Sequence, residues 1–318
     1  MKWFLFLLLS PIIFYGQTQF DIAEQCYKEG NIAKAKPLFE AYLKEFPTDV
    51  MALEYLGDIA GNAKQWDAAL DYYKVLVAKD KTNADYHFKC GGVLGMKALT
   101  VNKISAAFYI TDVKEYFDTA ATLDPGHIEV RKAMVELYMQ LPAMIGGSEA
   151  KALFYANELA ELSPVEGSLA KGYIAAYNDK IIAAENFYKK AVIQGGTLLA
   201  YDKLVAFYKN TNQPSKALET LKENLALHPS ENRLNYQIGH LVADYNLELH
   251  LGVNSLKKYL EDYFLKDGIP KEWAYLRLAQ IHKNKGNKSI ALSWIRKALM
   301  IAPAFKEAIK EKMKIEAL

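Results

Sequence analysis

The sequence predicts an all-α fold of about eight consecutive helical hairpins followed by a capping helix. Between residues 272 and 303, apolar residues recur at the helical period on both sides of Gly286 and Asn287, so a short turn joins two helices there. Pro303 then ends the second helix, because proline has no amide hydrogen to continue the helical ladder. One hairpin cannot bury its own apolar face, so the pattern should recur along the chain.

The hairpin pattern does recur, at intervals close to ~34 residues. A small residue marks the first helix of each hairpin, at Ala23, Gly57, Gly91, Val135, Gly172, Val205, Gly239 and Ala279. Alanine recurs in the second helices, at Ala35, Ala69, Ala152, Ala184, Ala217 and Ala291. With the glycine turn and the closing proline, this pattern resembles the tetratricopeptide repeat family. The resemblance implies a right-handed α-α superhelix that binds other proteins and has no catalytic role.

The resemblance covers residues 18–318. The predicted repeats are 18–47, 50–81, 84–125, 128–164, 165–196, 198–229, 232–268 and 272–303, and residues 304–318 form a polar capping helix. Repeat three carries an insertion near residues 98–107, before a second helix predicted at 108–123. Repeat four has a long turn at residues 142–147. In repeat seven, the second helix is predicted at about residues 254–265.

Residues 1–17 have the pattern of a secretory signal peptide. Lys2 precedes an apolar run, and the small Gly16 stands before polar Gln17. The run is shorter than the ~20 residues that span a bilayer, which favours a cleaved signal over a retained anchor. We therefore expect an exported chain with no membrane span after cleavage, located in the periplasm or envelope of a Gram-negative bacterium.

Composition and motifs narrow the possible functions. The chain has 39 Lys and Arg against 37 Asp and Glu, a balance that argues against a nucleic-acid partner. Cys26 and Cys90 lie in different repeats, too far apart for a disulfide, so we expect both to be buried apolar residues. The sequence contains no pattern typical of a catalytic, metal or cofactor site. A protein without enzymatic activity, cofactor or metal is therefore expected.

The first helices of tetratricopeptide arrays line a concave groove, so the resemblance implies that partners bind there. The register selects eleven candidate partner-binding residues: Glu24, Tyr27, Glu54, Asp58, Phe88, Glu136, Tyr173, Tyr177, Tyr236, His240 and Trp273. The N-terminal half of this set is acidic and the C-terminal half is aromatic. We expect a protein or peptide partner, with a basic or aromatic segment suiting the N-terminal half.

Two alternatives stay open. The chain could be a ligand-binding or glycan-binding protein, or an enzyme, with its site at the insertions of repeats three and four. It could also form a homo-oligomer. A deep pocket or a strongly perturbed ionisable pair beside residues 98–107 and Gly146 would favour the first alternative.

Overall fold

The computed structural model describes residues 19–264 and 267–318, and the elements found there are helical. The chain divides between Leu162 and Ser163 into two compact units. The predicted signal peptide at residues 1–17 lies outside the described residues. In the described part, the all-α class and the hairpin architecture are confirmed.

Residues 19–162 of the N-terminal unit form four helical hairpins. Its helices are α1 (residues 19–28), α2 (Ile32–Glu45), α3 (Val50–Asn62), α4 (Trp66–Lys79), α5 (Ala84–Ala98), α6 (Lys103–Leu123), α7 (Ile128–Gln140) and α8 (Glu149–Leu162). A 3₁₀ turn, Ala143–Ile145, precedes α8. Polar side chains start several helices: Asn31, Asp49 and Asn83 each accept a hydrogen bond from a backbone amide of the first turn.

The described residues of the C-terminal unit, 163–264 and 267–318, form four further hairpins and a final helix. Its helices are α9 (Pro164–Tyr177), α10 (Ile181–Gly195), α11 (Leu198–Asn210), α12 (Pro214–Leu227), α13 (Arg233–Tyr245), α14 (Leu249–Glu261), α15 (Lys271–Asn284), α16 (Lys288–Ile301) and α17 (Lys306–Glu316). Helix α17 buries Ala308 and Ile315. Its outer face keeps Ile309 and Met313 exposed, so it is less polar than the predicted cap.

The two helices of a hairpin approach closely at the recurrent small residue. A Cβ atom built on four of these glycines would lie within 3 Å of a side chain of the second helix. The pairs and distances are Gly57–Tyr73 (2.4 Å), Gly91–Phe117 (2.6 Å), Gly172–Tyr188 (2.9 Å) and Gly239–Leu256 (2.2 Å). Since real Cβ atoms do not come this close to ring or methyl carbons, these positions tolerate no larger residue without movement of the second helix.

The structure corrects two predicted helix boundaries. Residues 103–107 are the first turn of α6, because Asn102 accepts hydrogen bonds from the amides of Ile104 and Ser105 at 3.1 and 3.0 Å. The insertion of repeat three therefore lengthens a helix instead of forming a loop. Helix α14 begins at Leu249, five residues before the predicted start at residue 254, because Leu249 and Leu251 already pack against the core of the C-terminal unit.

The two cysteines are free and buried, as expected. Burial raises the pKa of the Cys90 thiol to about 11. Helix α5 carries three glycines after Cys90, at Gly91, Gly92 and Gly95, and close packing explains only the first. Gly91 touches Phe117, whereas Gly92 and Gly95 have open space around their Cβ positions.

A half-buried carboxylate ties three helices of the C-terminal unit together. Glu185 on α10 accepts hydrogen bonds from Tyr208 on α11 and Lys216 on α12, both at 3.0 Å, and pairs with Lys189 at 2.7 Å. The hydrogen bond from Lys189 is the main cause that lowers the pKa of Glu185 to about 2; burial opposes the shift, while Lys216 and Tyr208 add to it. The charged form of Glu185 is therefore stabilised by folding.

The adjacent glycines of α5 give a direct test of the close approach. Gly91→Ala should destabilise the protein by about 1 to 3 kcal/mol, because its methyl group overlaps the Phe117 ring. Gly92→Ala, one residue away in the same helix, should be neutral or stabilising by up to about 1 kcal/mol, because alanine favours the helix. Urea unfolding measures both. Equal effects of the two substitutions would contradict the packing argument.

Glu185 predicts a dependence of stability on pH. Glu185→Gln should lower the free energy of unfolding by about 1 to 2 kcal/mol at pH 7. The depressed pKa contributes stability above about pH 4.3, and this stability is lost as the pH falls towards about 2. The difference between variant and wild type should therefore shrink across that range. Glu219→Gln, with a 63% exposed side chain, is the control and should change little. A difference that does not vary with pH would contradict the assignment.

Candidate functional site

The first helices of the N-terminal unit bring six side chains together. We call this group the N-terminal face, and it consists of Glu24, Tyr27, Glu54, Tyr55, Asp58 and Lys89. The rings of Tyr27 and Tyr55 lie 4.9 Å apart, and the Tyr55 hydroxyl donates to Glu24 at 2.7 Å. These contacts join α1 to α3.

Lys89 connects α5 to both carboxylates of α3. Its ammonium donates to Glu54 Oε1 at 2.7 Å and to Asp58 Oδ1 at 2.8 Å, and it lies 5.4 Å from the centroid of the Tyr73 ring. Burial disfavours the charged amine, but the bonds to Asp58 and Glu54 outweigh it and raise the pKa of Lys89. The pair of carboxylates thus already holds one cation from the chain itself.

Internal pairing corrects the expected acidic character of this face. Lys28 pairs with Glu24 at 2.8 Å, and this bond, followed by that from Tyr55, lowers the pKa of Glu24. Burial, followed by the hydrogen bond to Glu24, raises the pKa of Tyr55 to about 12. Three carboxylates therefore face two internal ammonium groups, which leaves a smaller negative charge than the sequence pattern indicates.

A cleft of about 220 Å³ opens on the N-terminal face. Met51, Glu54, Tyr55 and Asp58 line it. Met51 is 51% exposed, so an apolar side chain stands beside the two carboxylates. The cleft can therefore accommodate a side chain that has an apolar stem and a charged or hydrogen-bonding end.

The other two predicted residues of this unit lie apart from that cleft. Phe88 is half-buried and packs 5.9 Å from Phe117 and 5.1 Å from the His127 ring. Glu136 is exposed on α7, and no contact given by the described residues joins it to the N-terminal face. Phe88 is thus mainly a packing residue.

The predicted aromatic residues of the C-terminal unit have different environments. Tyr173 and Tyr177 lie on α9 with ring centroids 6.0 Å apart, and Tyr177 is 51% exposed. Tyr236, expected to be an accessible anchor, is only 6% exposed and packs 5.5 Å from Tyr259. The structure corrects that expectation, because the ring fills the space between α13 and α14 and offers little surface to a partner.

His240 and Trp273 belong to a second polar cluster, which also contains Asp244 and Arg277. His240 Nε2 lies 3.1 Å from Asp244, and Arg277 Nη1 donates to Asp244 at 3.0 Å. Burial of Asp244 opposes ionisation, but His240 and then Arg277 outweigh it and lower the pKa of that carboxyl. The Arg277 guanidinium lies 6.0 Å from the Trp273 ring, which packs on Phe305 at 4.7 Å.

The sequence prediction missed Tyr55, Lys89, Asp244 and Arg277. A signal for some of them exists in the spacing of opposite charges. Lys89 follows Asp58 by 31 residues and Glu54 by 35, and Arg277 follows Asp244 by 33. In a repeat array, residues about one period apart lie on neighbouring first helices, so such charge pairs predict cross-repeat salt bridges.

The turn of repeat four is held closed. Lys114 on α6 donates to the Ile145 carbonyl at 3.1 Å, and a Cβ on Gly146 would lie 2.4 Å from the Lys114 nitrogen.

A broad depression of about 580 Å³ on α6 is lined by polar residues such as Thr111, Glu115 and Asp118. Among residues 19–264 and 267–318, no group of three or more His, Cys, Asp or Glu side chains could hold a metal ion.

No helix within the described ranges is both long enough and apolar enough to cross a membrane.

Comparison with known proteins shows similarity to one family of helical-repeat proteins. Residues 20–84 match the model of the tetratricopeptide repeat family. A thermophilic tetratricopeptide repeat protein of Thermus thermophilus shares 21% identity over 61% of this chain and 97% of its own, with a TM-score of 0.50. A tetratricopeptide repeat protein from Parabacteroides merdae shares 13% identity over 95% of this chain and 99% of its own, with a TM-score of 0.48. No curated protein sequence gives a significant match.

The described residues have the fold of a helical-repeat protein, and residues 20–84 match the tetratricopeptide repeat family.

Proposed function

We propose that the chain is an exported interaction scaffold without enzymatic activity, which binds a peptide segment of a partner protein on its N-terminal face. The observation that carries this proposal is the open cleft lined by Met51, Glu54, Tyr55 and Asp58. It lies on α3, a first helix, and the tetratricopeptide resemblance implies that partners bind on the first helices.

The chemistry of the cleft favours a segment with a basic side chain. Glu54 and Asp58 share the single ammonium of Lys89, so their remaining oxygens can accept further hydrogen bonds. An arginine or lysine stem would pack on exposed Met51 while its charged end reaches Glu54. Tyr27 and Tyr55 supply aromatic surface beside this position, which suits a flanking apolar residue.

Export is part of this proposal and rests on residues 1–17. The apolar run after Lys2 and the small residue before Gln17 support cleavage near Gly16. The proposed location is therefore the periplasm or envelope of a Gram-negative bacterium.

The binding proposal predicts selection of basic peptides. Short random peptides displayed on phage and panned against the full mature chain should be enriched in Arg or Lys next to an apolar residue. Glu54→Gln should weaken the selected peptides by about tenfold, or about 1.4 kcal/mol, because it removes the acceptor charge while Asp58 keeps Lys89 in place.

A matched variant controls for nonspecific charge effects. Asp71→Asn removes an exposed carboxylate from α4, a second helix, and should leave peptide affinity unchanged. Circular dichroism verifies that each variant is folded. Enrichment of peptides without basic residues, or equal loss in both variants, would contradict binding at the cleft.

The export proposal predicts a processed N terminus. Fractionation of a Gram-negative host that expresses the full chain should place the protein outside the cytoplasm, and N-terminal sequencing should begin near Gln17. Recovery of the chain with Met1 and Lys2 intact in the membrane fraction would show a retained anchor. Recovery in the cytoplasm would contradict export.

A further inference from the structure

Helix α17 presents an exposed face that corresponds to a covered face in the preceding repeat. Ile309 and Met313 lie 34 residues after Tyr275 and Ala279 of α15, one full repeat period. In repeat eight, Tyr275 stacks on Trp294 of α16 at 5.9 Å, and buried Ala279 packs with Ile295. Helix α17 therefore keeps the register of a first helix. No second helix in residues 267–318 lies against its Ile309 and Met313 face, which corresponds to the face of α15 that α16 covers.

Burial on the other side of α17 confirms this correspondence. Ala308 and Ile315 lie 34 residues after Ala274 and Ile281, and all four are fully buried. Glu311 is 4% exposed and accepts a hydrogen bond from Lys283 of α15. Helix α17 thus packs on its inner side as a first helix does, while Ile309 (36% exposed) and Met313 (64% exposed) face outwards.

Two lysines border the exposed apolar residues. Lys306 and Lys310 lie three residues before Ile309 and Met313, so the four side chains share one face of the helix. Lys312 and Lys314 are paired with Glu316 and Glu311, each at 3.6 Å. Neither Lys306 nor Lys310 has an ion-pair partner among the described residues. We call these four residues, Lys306, Ile309, Lys310 and Met313, the outer face of α17.

The last two helices, α16 and α17, are basic as a whole. Helices α16 and α17 together carry seven Lys or Arg residues and three Glu residues, whereas the entire chain has a formal net charge of only +2. Arg296 and Lys297 are exposed on α16. An apolar strip bordered by unpaired cations is complementary to a surface with apolar and acidic residues.

We propose that the outer face of α17 binds an acidic amphipathic helix of a partner protein. The helix would lie on the side of α17 that corresponds to the α16 side of α15, with its apolar side on Ile309 and Met313 and its carboxylates beside Lys306 and Lys310. Because the larger Met313 stands where α15 has Ala279, this helix would lie farther from α17 than α16 lies from α15, and the flexible Met313 side chain would adjust to it. The site is separate from the proposed cleft and does not depend on it.

Charge and area favour this occupant over two others. A second copy of the chain would bring its own Lys306 and Lys310 towards this face, and like charges repel. A membrane surface needs a long apolar face, whereas the outer face of α17 offers two apolar side chains.

A charge-swap experiment tests the proposal on the full mature chain. The probe is a labelled 14-residue peptide with the α16 sequence, in which Lys288→Glu, Arg296→Glu and Lys297→Glu make it acidic. The unchanged α16 sequence is the control peptide. Fluorescence anisotropy at low salt should show that the protein binds the acidic peptide at least about tenfold more tightly than the control.

Variants of the protein then locate the binding. Lys306→Glu with Lys310→Glu should reverse the preference, so that the basic control peptide binds more tightly. Lys190→Glu, an exposed change on α10, should keep the wild-type preference. Met313→Asp should weaken the acidic peptide by about tenfold. All four positions are exposed, and circular dichroism verifies the fold.

Three results would overturn the proposal. The first is no saturable binding of the acidic peptide. The second is equal affinity for both peptides, or a preference that the charge swap does not alter. The third is binding to phosphatidylglycerol vesicles that depends on Lys306 and Lys310 without any selectivity between the peptides, which would assign this face to anionic lipid.

Discussion

The close approach of two helices at a small residue is the contact on which the structure depends. At Gly57, Gly91, Gly172 and Gly239, the backbone of the first helix touches a ring or a leucine of the second. This contact sets the distance between the helices and aligns their apolar faces. The same contact leaves the opposite side of each first helix facing the neighbouring repeat or the solvent. Available binding surface is therefore a consequence of hairpin packing.

Much of the charge on that surface is used within the protein. Lys89 holds Glu54 and Asp58, and Arg277 holds Asp244, in each case across neighbouring first helices. Such half-buried pairs orient side chains more than they add stability, because the cost of removing both charges from water offsets much of their attraction. The charge that remains unpaired is more informative, and it includes Lys306 and Lys310 beside exposed Ile309 and Met313.

Sequence reasoning was accurate where one local signal determined the result. The recurrent small residues, alanines and prolines located the hairpins, since each has a steric reason for its position. Two predicted helix starts were wrong. Asn102 caps α6, so the helix begins five residues before the predicted start at residue 108. Leu249 and Leu251 pack against the core, so α14 begins before the predicted start at residue 254. Among the candidate binding residues, Tyr236 is buried. The sequence did not predict this burial, because the size of a ring does not indicate whether a second helix covers it.

The amino-acid sequence by itself determined the all-α class, the period and the number of hairpins, because glycine, alanine and proline act through local sterics that repeat with the chain. The tertiary structure decided which charges are neutralised, which aromatic residues are accessible and which helix face lacks a partner. These properties depend on side chains about one period apart in sequence that meet only after neighbouring repeats stack. The cleft beside Lys89 and the outer face of α17 could therefore be recognised only in the tertiary structure.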